Sequence, residues 1–243
     1  MKQLTERQKK ILKIIIKEYI DSVVPVGSKE LVEKYNLPFS SATVRNEMAI
    51  LEKMGFLQKT HISSGRIPTD KGYRYFIDYL AERREVSVRY QKKLELELLK
   101  MRVRNVQLER SVGKILSTLS KCLVISGVVD RGEYQNFGIH NLLESPELNN
   151  LDDFSKITVV LDNIDEKINK ILAKAEKGEV KIFIGKENPI REIRGTSMIV
   201  SRYEDKDGHD RVIALIGPKS MKYQKNKKLI EFAKKLLGFK REE

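Results

Sequence analysis

The sequence predicts an α+β fold in three parts: an N-terminal winged helix (residues 1–80), a linking helix (81–120) and a C-terminal antiparallel-sheet domain (121–243). Three observations predict it. Residues 5–54 carry three helical periodicities separated by tight turns and followed at once by a hairpin signal. Residues 81–120 contain no proline and only Gly113 as glycine, so one long helix is expected. Beyond Cys122, β-branched runs alternate with turn residues and amphipathic stretches.

The first helix opens at Thr5-Glu-Arg-Gln8, the capping-box spacing, and Ile11, Leu12, Ile15, Ile16, Tyr19 and Ile20 form its apolar stripe. Val24-Pro25-Val26-Gly27 breaks the chain, and Ser28 is expected to cap a short second helix through Tyr35. After Asn36-Leu37-Pro38, Ser40 or Ser41 caps a third helix. Its buried face is Val44, Met48 and Leu51, and Gly55 is its left-handed stop. Phe56-Leu57-Gln58-Lys59 is extended, Ser63-Ser64-Gly65-Arg66 forms a polar tip, and Pro68 closes the hairpin. Three helices and a hairpin in this order build a winged helix. Thr69 caps a fourth, aromatic-rich helix through Phe76.

In the linking helix Leu94, Leu98, Met101, Asn105, Leu108, Val112, Ile115 and Leu119 alternate steps of four and three. This is a heptad seam with Leu98, Asn105, Val112 and Leu119 at a, and a lone Asn at a sets register and favours two strands. The seam therefore predicts a homodimer, and the competing reading lays the helix on its own C-terminal domain. Gly113 weakens the seam.

In the last part, 122–129 reads as a buried strand and 136–143 as a strand or a strand leading into a turn. Residues 157–161 fit strand or helix, and 165–176 form an amphipathic helix ended by Gly178. Residues 180–184 form a strand, and 196–203 with 212–216 form an antiparallel pair joined through Glu204-Asp-Lys-Asp-Gly208. Residues 227–237 form a final helix. The pattern is that of an α+β sensor-like domain.

The net charge of +13 points to a polyanionic partner. Residues 1–80 and 81–120 each carry about five excess positive charges and the rest only about three, so the nucleic-acid side is N-terminal. A single cysteine, Cys122, within the apolar Cys-Leu-Val-Ile, reads as a small core residue and excludes a disulfide or a cysteine-rich zinc site. No signal core and no membrane-length apolar run occurs, so no membrane is expected and the location is cytoplasmic.

The exposed face of the third helix carries short or forked hydrogen-bonding groups. Arg45 suits guanine O6 and N7, and Asn46 suits adenine N6 and N7. Ser41 and Thr43 suit phosphate or base edges at a helix N-terminus, and Ser40 divides between capping and contact. Arg66 is expected at the wing tip, entering a minor groove or touching phosphate, with a tight-turn role as its alternative. His61 contacts phosphate or supports the hairpin. Lys71 and Arg74 are phosphate candidates, whereas Lys9 and Lys10 read as a solvated face.

Catalysis is the competing class. His140 with Glu144 or Asp162 could be drawn as an acid–base set, but His61, His140 and His209 make neither metal spacing nor a triad, and Gly185, Gly195, Gly208 and Gly217 are isolated turn signals. No catalytic residue, metal or cofactor is assigned. A winged helix binding RNA or only proteins is disfavoured by the arginine in the wing and the two-fold seam, which fit paired half-sites on duplex DNA.

Longer segments resemble one family. Leu4-Thr-Glu-Arg-Gln8, Pro25-Val-Gly-Ser28, Ser40-Ser-Ala-Thr-Val-Arg-Asn-Glu-Met48 and Ser64-Gly-Arg-Ile-Pro-Thr-Asp-Lys-Gly-Tyr-Arg74 closely resemble the heat-inducible transcription repressors HrcA. So do Asn141-Leu-Leu-Glu-Ser-Pro-Glu147, Ile184-Gly-Lys-Glu-Asn-Pro189, and Val212-Ile-Ala-Leu-Ile-Gly-Pro218 with Met221 and Tyr223. The resemblance implies a winged helix, a GAF-like C-terminal domain, and a dimer that represses chaperone operons at the inverted-repeat CIRCE operator. It also implies help from the GroEL chaperonin. An alternative is a regulator of another regulon gated by a small ligand in the GAF-like domain. Members of the family are usually longer, with a dimerising segment inserted in the GAF-like part. Here little room is left for it, so either the heptad seam takes over that role or the chain belongs to a divergent branch.

Overall fold

The computed structural model describes residues 4–60, 65–81, 108–148, 150–205 and 207–238. The chain divides into two compact units, Met1–Arg83 and Arg84–Glu243.

In the first unit, α1 (Glu6–Ser22) starts from a complete capping box: Thr5 Oγ1 accepts from the Gln8 N–H at 3.2 Å, and Gln8 Oε1 from the Thr5 N–H at 3.1 Å. Its stripe of Ile11, Leu12, Ile15 and Ile16 is fully buried. α2 (Ser28–Tyr35) departs from expectation at its start. Gly27, not Ser28, occupies the cap position, with no side-chain bond. α3 (Ser41–Lys53) is capped by Ser40, whose Oγ accepts from the Thr43 N–H at 3.1 Å, and ends before Gly55 at φ +79°.

β1 (Leu57–Lys59) and β2 (Arg66–Pro68) pair antiparallel, Leu57 opposite Pro68 and Lys59 opposite Arg66. The break before α2 contributes a third edge: Val26 and Arg66 exchange backbone hydrogen bonds of 3.0 and 2.9 Å. α4 (Asp70–Tyr75) is capped by Thr69 and runs into a π-helical turn, Phe76–Leu80.

A buried carboxylate ties α1 to α2. Glu18 pairs with Lys34 and accepts from the Tyr35 hydroxyl at 2.7 Å. These two hydrogen bonds hold the Glu18 carboxyl below the ordinary glutamate range, and the same carboxylate pushes Tyr35 up to about 12. A depressed folded value contributes stability that is full above the unfolded value and is lost as pH falls through the folded one. Glu18→Gln is therefore expected to lower stability at neutral pH and to flatten its decline on acidification. Urea melts from pH 7 downward check this; parallel curves for variant and parent would contradict it.

In the second unit five strands form one antiparallel sheet, in the order β4 (Glu133–Phe137), β3 (Leu123–Val128), β7 (Asp210–Gly217), β6 (Ser197–Glu204), β5 (Val180–Ile184). β6 and β7 pair over their whole length, from Ser197–Gly217 to Glu204–Asp210. Alternation sends Val212, Ala214 and Ile216 to one face. There they join Met198, Val200, Leu142 of α6 (His140–Leu143), Ile157 and Val160 of α7 (Leu151–Asp162), and Ile168 and Ile171 of α8 (Ile164–Leu172). The other face is covered by α5 (Leu108–Ser120) and α9 (Tyr223–Gly238). Cys122 is fully buried beside Met221, and burial pushes its thiol up to about 12, as suits a core residue.

Two expectations need correcting. The strand, or strand leading into a turn, expected over 136–143 ends at Phe137, and His140–Leu143 is helical. Of the two readings open for 157–161 the helix holds, since the stretch lies inside α7, capped by Asn150. The seam is the largest change. Val112 and Leu119, with neighbouring Leu116, are buried where α5 meets β3, β4 and α9, and Ile115 is half-buried. Surface spent there is closed to a second copy, so this end of the helix lies on its own domain. Gly113 fits the same packing, because a Cβ there would meet the Phe137 ring at 2.3 Å. Leu94, Leu98, Met101 and Asn105 lie outside the described residues.

Candidate nucleic-acid interface

α3 buries Val44, Met48 and Leu51, which turns Ser41, Ala42, Arg45, Asn46, Ile50 and Lys53 outward, all of them exposed. Ser40 spends its hydroxyl on capping and lies 2.9 Å from the Thr43 hydroxyl, so these two residues organise the helix start. Arg45 and Asn46 make no side-chain hydrogen bond or ion pair among the described residues.

α3 is anchored from behind by an acid that the sequence did not single out. Glu47 is buried on the packed face, where it accepts from Gln8 Nε2 at 3.0 Å and pairs with Arg7 Nε at 2.8 Å. Arg7 also lies over the Phe39 ring, 5.4 Å from its centroid. Gln8 thus closes the capping box of α1 and orients α3. The available signal was an acid between Val44 and Met48, on a face otherwise apolar.

The basic residues separate by partner. Lys9 pairs with Glu6, Lys34 with Glu18, and Arg74 with Asp78 at 3.3 Å. Arg66 is not at a tip. It opens β2, its side chain is 13% exposed, and its Nε meets Glu52 at 2.8 Å. The reason is Gly65, which lets the strand close against the Val26 backbone and draws Arg66 inward. The structure gives Arg66 an internal role in neither expected form, as a strand residue tied to Glu52 and to the Val26 backbone. His61 lies outside the described residues.

Lys71 reaches back to the end of α3: its Nζ donates to the Met54 carbonyl at 2.7 Å and sits 4.5 Å from the Phe56 ring centroid. Lys71→Ala is expected to cost about 0.3–1 kcal/mol of stability through the lost helix-end contact, with the salt dependence of DNA binding unchanged. A slope smaller by about one would return Lys71 to the phosphate set. The cations of this unit that make no contact among the described residues are Lys10, Arg45, Lys53 and Lys59. Three of the four lie on α3 or on the strand after it.

In the second unit His140, Glu144 and Asp162 are exposed, and no side-chain hydrogen bond joins them. A cavity lined by Glu109, Val112, Tyr203, Arg211 and Ile213 offers about 10 Å³, room for one water but not for an effector. Among the described residues no His/Cys/Asp/Glu cluster suits a metal, and no helix is long and apolar enough to cross a membrane.

Two family models match the chain. Residues 3–79 match the family model "Winged helix-turn-helix transcription repressor, HrcA DNA-binding", and residues 73–226 match "HrcA protein C terminal domain". The chain is 29% identical to the heat-inducible transcription repressor HrcA of Thermodesulfovibrio yellowstonii, over 96% of this chain and 97% of the relative. It is 52% identical to that of Chloroflexus aurantiacus over 99 residues, 41% of this chain and 27% of the relative. The first alignment spans 337 positions against the 243 residues here, so that relative carries segments this chain lacks. A crystal structure described as a hypothetical protein superposes with a TM-score of 0.76 at 20% identity, covering 97% of this chain and 98% of the other, which shows the shared fold.

Proposed function

The chain belongs to the HrcA family of heat-inducible transcription repressors, and from that premise we propose that it silences chaperone operons by gripping an inverted-repeat, CIRCE-type operator as a dimer. One observation carries this reading: the outward face of α3 holds Arg45, Asn46 and Lys53 uncommitted, while other cations of the unit are spent on internal pairs. The helix lies in a major groove with Arg45 and Asn46 against base edges, and Ser41 and Thr43 line its N-terminus for phosphate. Lys59 and the hairpin follow the backbone alongside.

A palindromic site implies two heads. Leu94, Leu98, Met101 and Asn105 are the remaining candidates for the contact between copies, since the lower seam is buried in its own domain. The family likeness extends the proposal to the cytoplasm and to GroEL as the chaperonin that keeps the repressor active. The test is selection of duplexes by the full chain from a random pool. Enrichment of an inverted repeat, with affinity falling steeply as salt rises, is expected. Equal retention of selected and scrambled duplexes would leave only sequence-independent binding and overturn the proposal.

A further inference from the structure

Ile50 is out of place for a core residue. α3 sends Val44 and Leu51 to zero exposure and Met48 to 3%, yet Ile50 in the same helix is 42% exposed. It sits one turn beyond Asn46 and one turn before Lys53, with Ala42 a turn before Asn46. The four positions step by four, four and three, so they stack along one side of the helix. A β-branched residue is also a weaker helix former than the polar alternatives open to an exposed site. Packing within the unit accounts for part of this isoleucine, and the open 42% lies on the outward side of α3 beside Asn46 and Lys53.

We propose that Ile50 is a specificity-determining residue that packs against the C5-methyl of a thymine in the major groove. The chemistry is that of the groove itself: thymine alone among the bases presents a methyl there, and apolar side chains recognise it. With Asn46 suited to adenine one turn before it, the helix would read an A·T-containing stretch by two different means. A hydrogen-bonding amide checks the purine edge, and an aliphatic side chain checks the pyrimidine methyl. The inference rests on the proposed docking of α3 in a major groove.

The test uses the full chain and the inverted-repeat duplex recovered from the random pool, with each thymine replaced singly by deoxyuridine, which removes only the methyl. Affinities are measured for the parent, Ile50→Ala and Ile50→Val. At one thymine per half-site the parent is expected to lose about fourfold, the worth of one buried methyl. Ile50→Ala should be indifferent to that same replacement, and Ile50→Val should retain part of the sensitivity. Unfolding midpoints of the variants guard against a folding defect, which this exposed position gives no cause to expect. If parent and Ile50→Ala respond alike to deoxyuridine at every thymine, Ile50 touches no methyl and the inference is overturned. Failure to enrich any duplex would instead strike the repressor reading beneath it.

Discussion

Arg45→Ala is expected to weaken binding to the selected operator by about 1–3 kcal/mol, roughly 5- to 150-fold, while leaving the fold intact. The two halves of that statement have separate grounds. Arg45 is exposed and uncommitted on α3, so its removal breaks no internal contact, and stability should stay within about 0.5 kcal/mol of the parent. Its guanidinium is a planar fork that matches O6 and N7 of one guanine, so the loss should fall on one base pair per half-site. Fluorescence anisotropy against every single-base variant of the duplex is the measurement. The parent should penalise changes at one position that the variant tolerates, and superimposable profiles would remove Arg45 from base recognition.

Gly65→Ala should act through the fold. A Cβ at Gly65 would lie 2.4 Å from the Val26 carbonyl carbon and oxygen and 2.7 Å from its nitrogen. These are backbone atoms, which cannot rotate aside as a long side chain does. Relief requires the strand to move away, breaking the paired Val26–Arg66 hydrogen bonds and loosening the Arg66–Glu52 ion pair. Overpacking of this kind costs about 1–3 kcal/mol, and in a unit of this size each kcal/mol lowers the midpoint by about 4–8 °C. Binding should fall for all duplexes alike, because the hairpin contributes position and not base identity. An unchanged melting transition for the N-terminal unit would show that the strand accommodates the methyl.

Thr5 and Thr69 were legible as caps, and Ser40 as one of two neighbouring candidates, because each bonds within three residues of itself. Gly55 was legible as a stop for the same reason. Strands β3, β5, β6 and β7 showed through their β-branched runs, whereas β4, Glu-Tyr-Gln-Asn-Phe, has none and was placed too late in the chain. The helix at His140–Leu143 was too short to display a period. Ser28 misled because glycine and serine are both good cap residues and stand side by side before α2.

Charge was the least legible feature. Arg66 and Arg45 are the same residue type in similarly polar surroundings, yet one meets Glu52, fourteen residues away, and the other meets no partner among the described residues. The apolar seam was ambiguous in the same way. Its period announces a buried stripe without naming what buries it, and the face of the sheet between α5 and α9 claimed the part from Val112 to Leu119.

The amino-acid order alone determined the helices of the N-terminal unit, most of their ends, the hairpin and the family, because caps, turns and periodicity are settled among residues a few positions apart. The tertiary structure alone decided which cations stay open for DNA, which apolar stripe is already covered and that an isoleucine of α3 faces outward. Those outcomes depend on partners that folding brings from distant parts of the chain, and no local pattern encodes them.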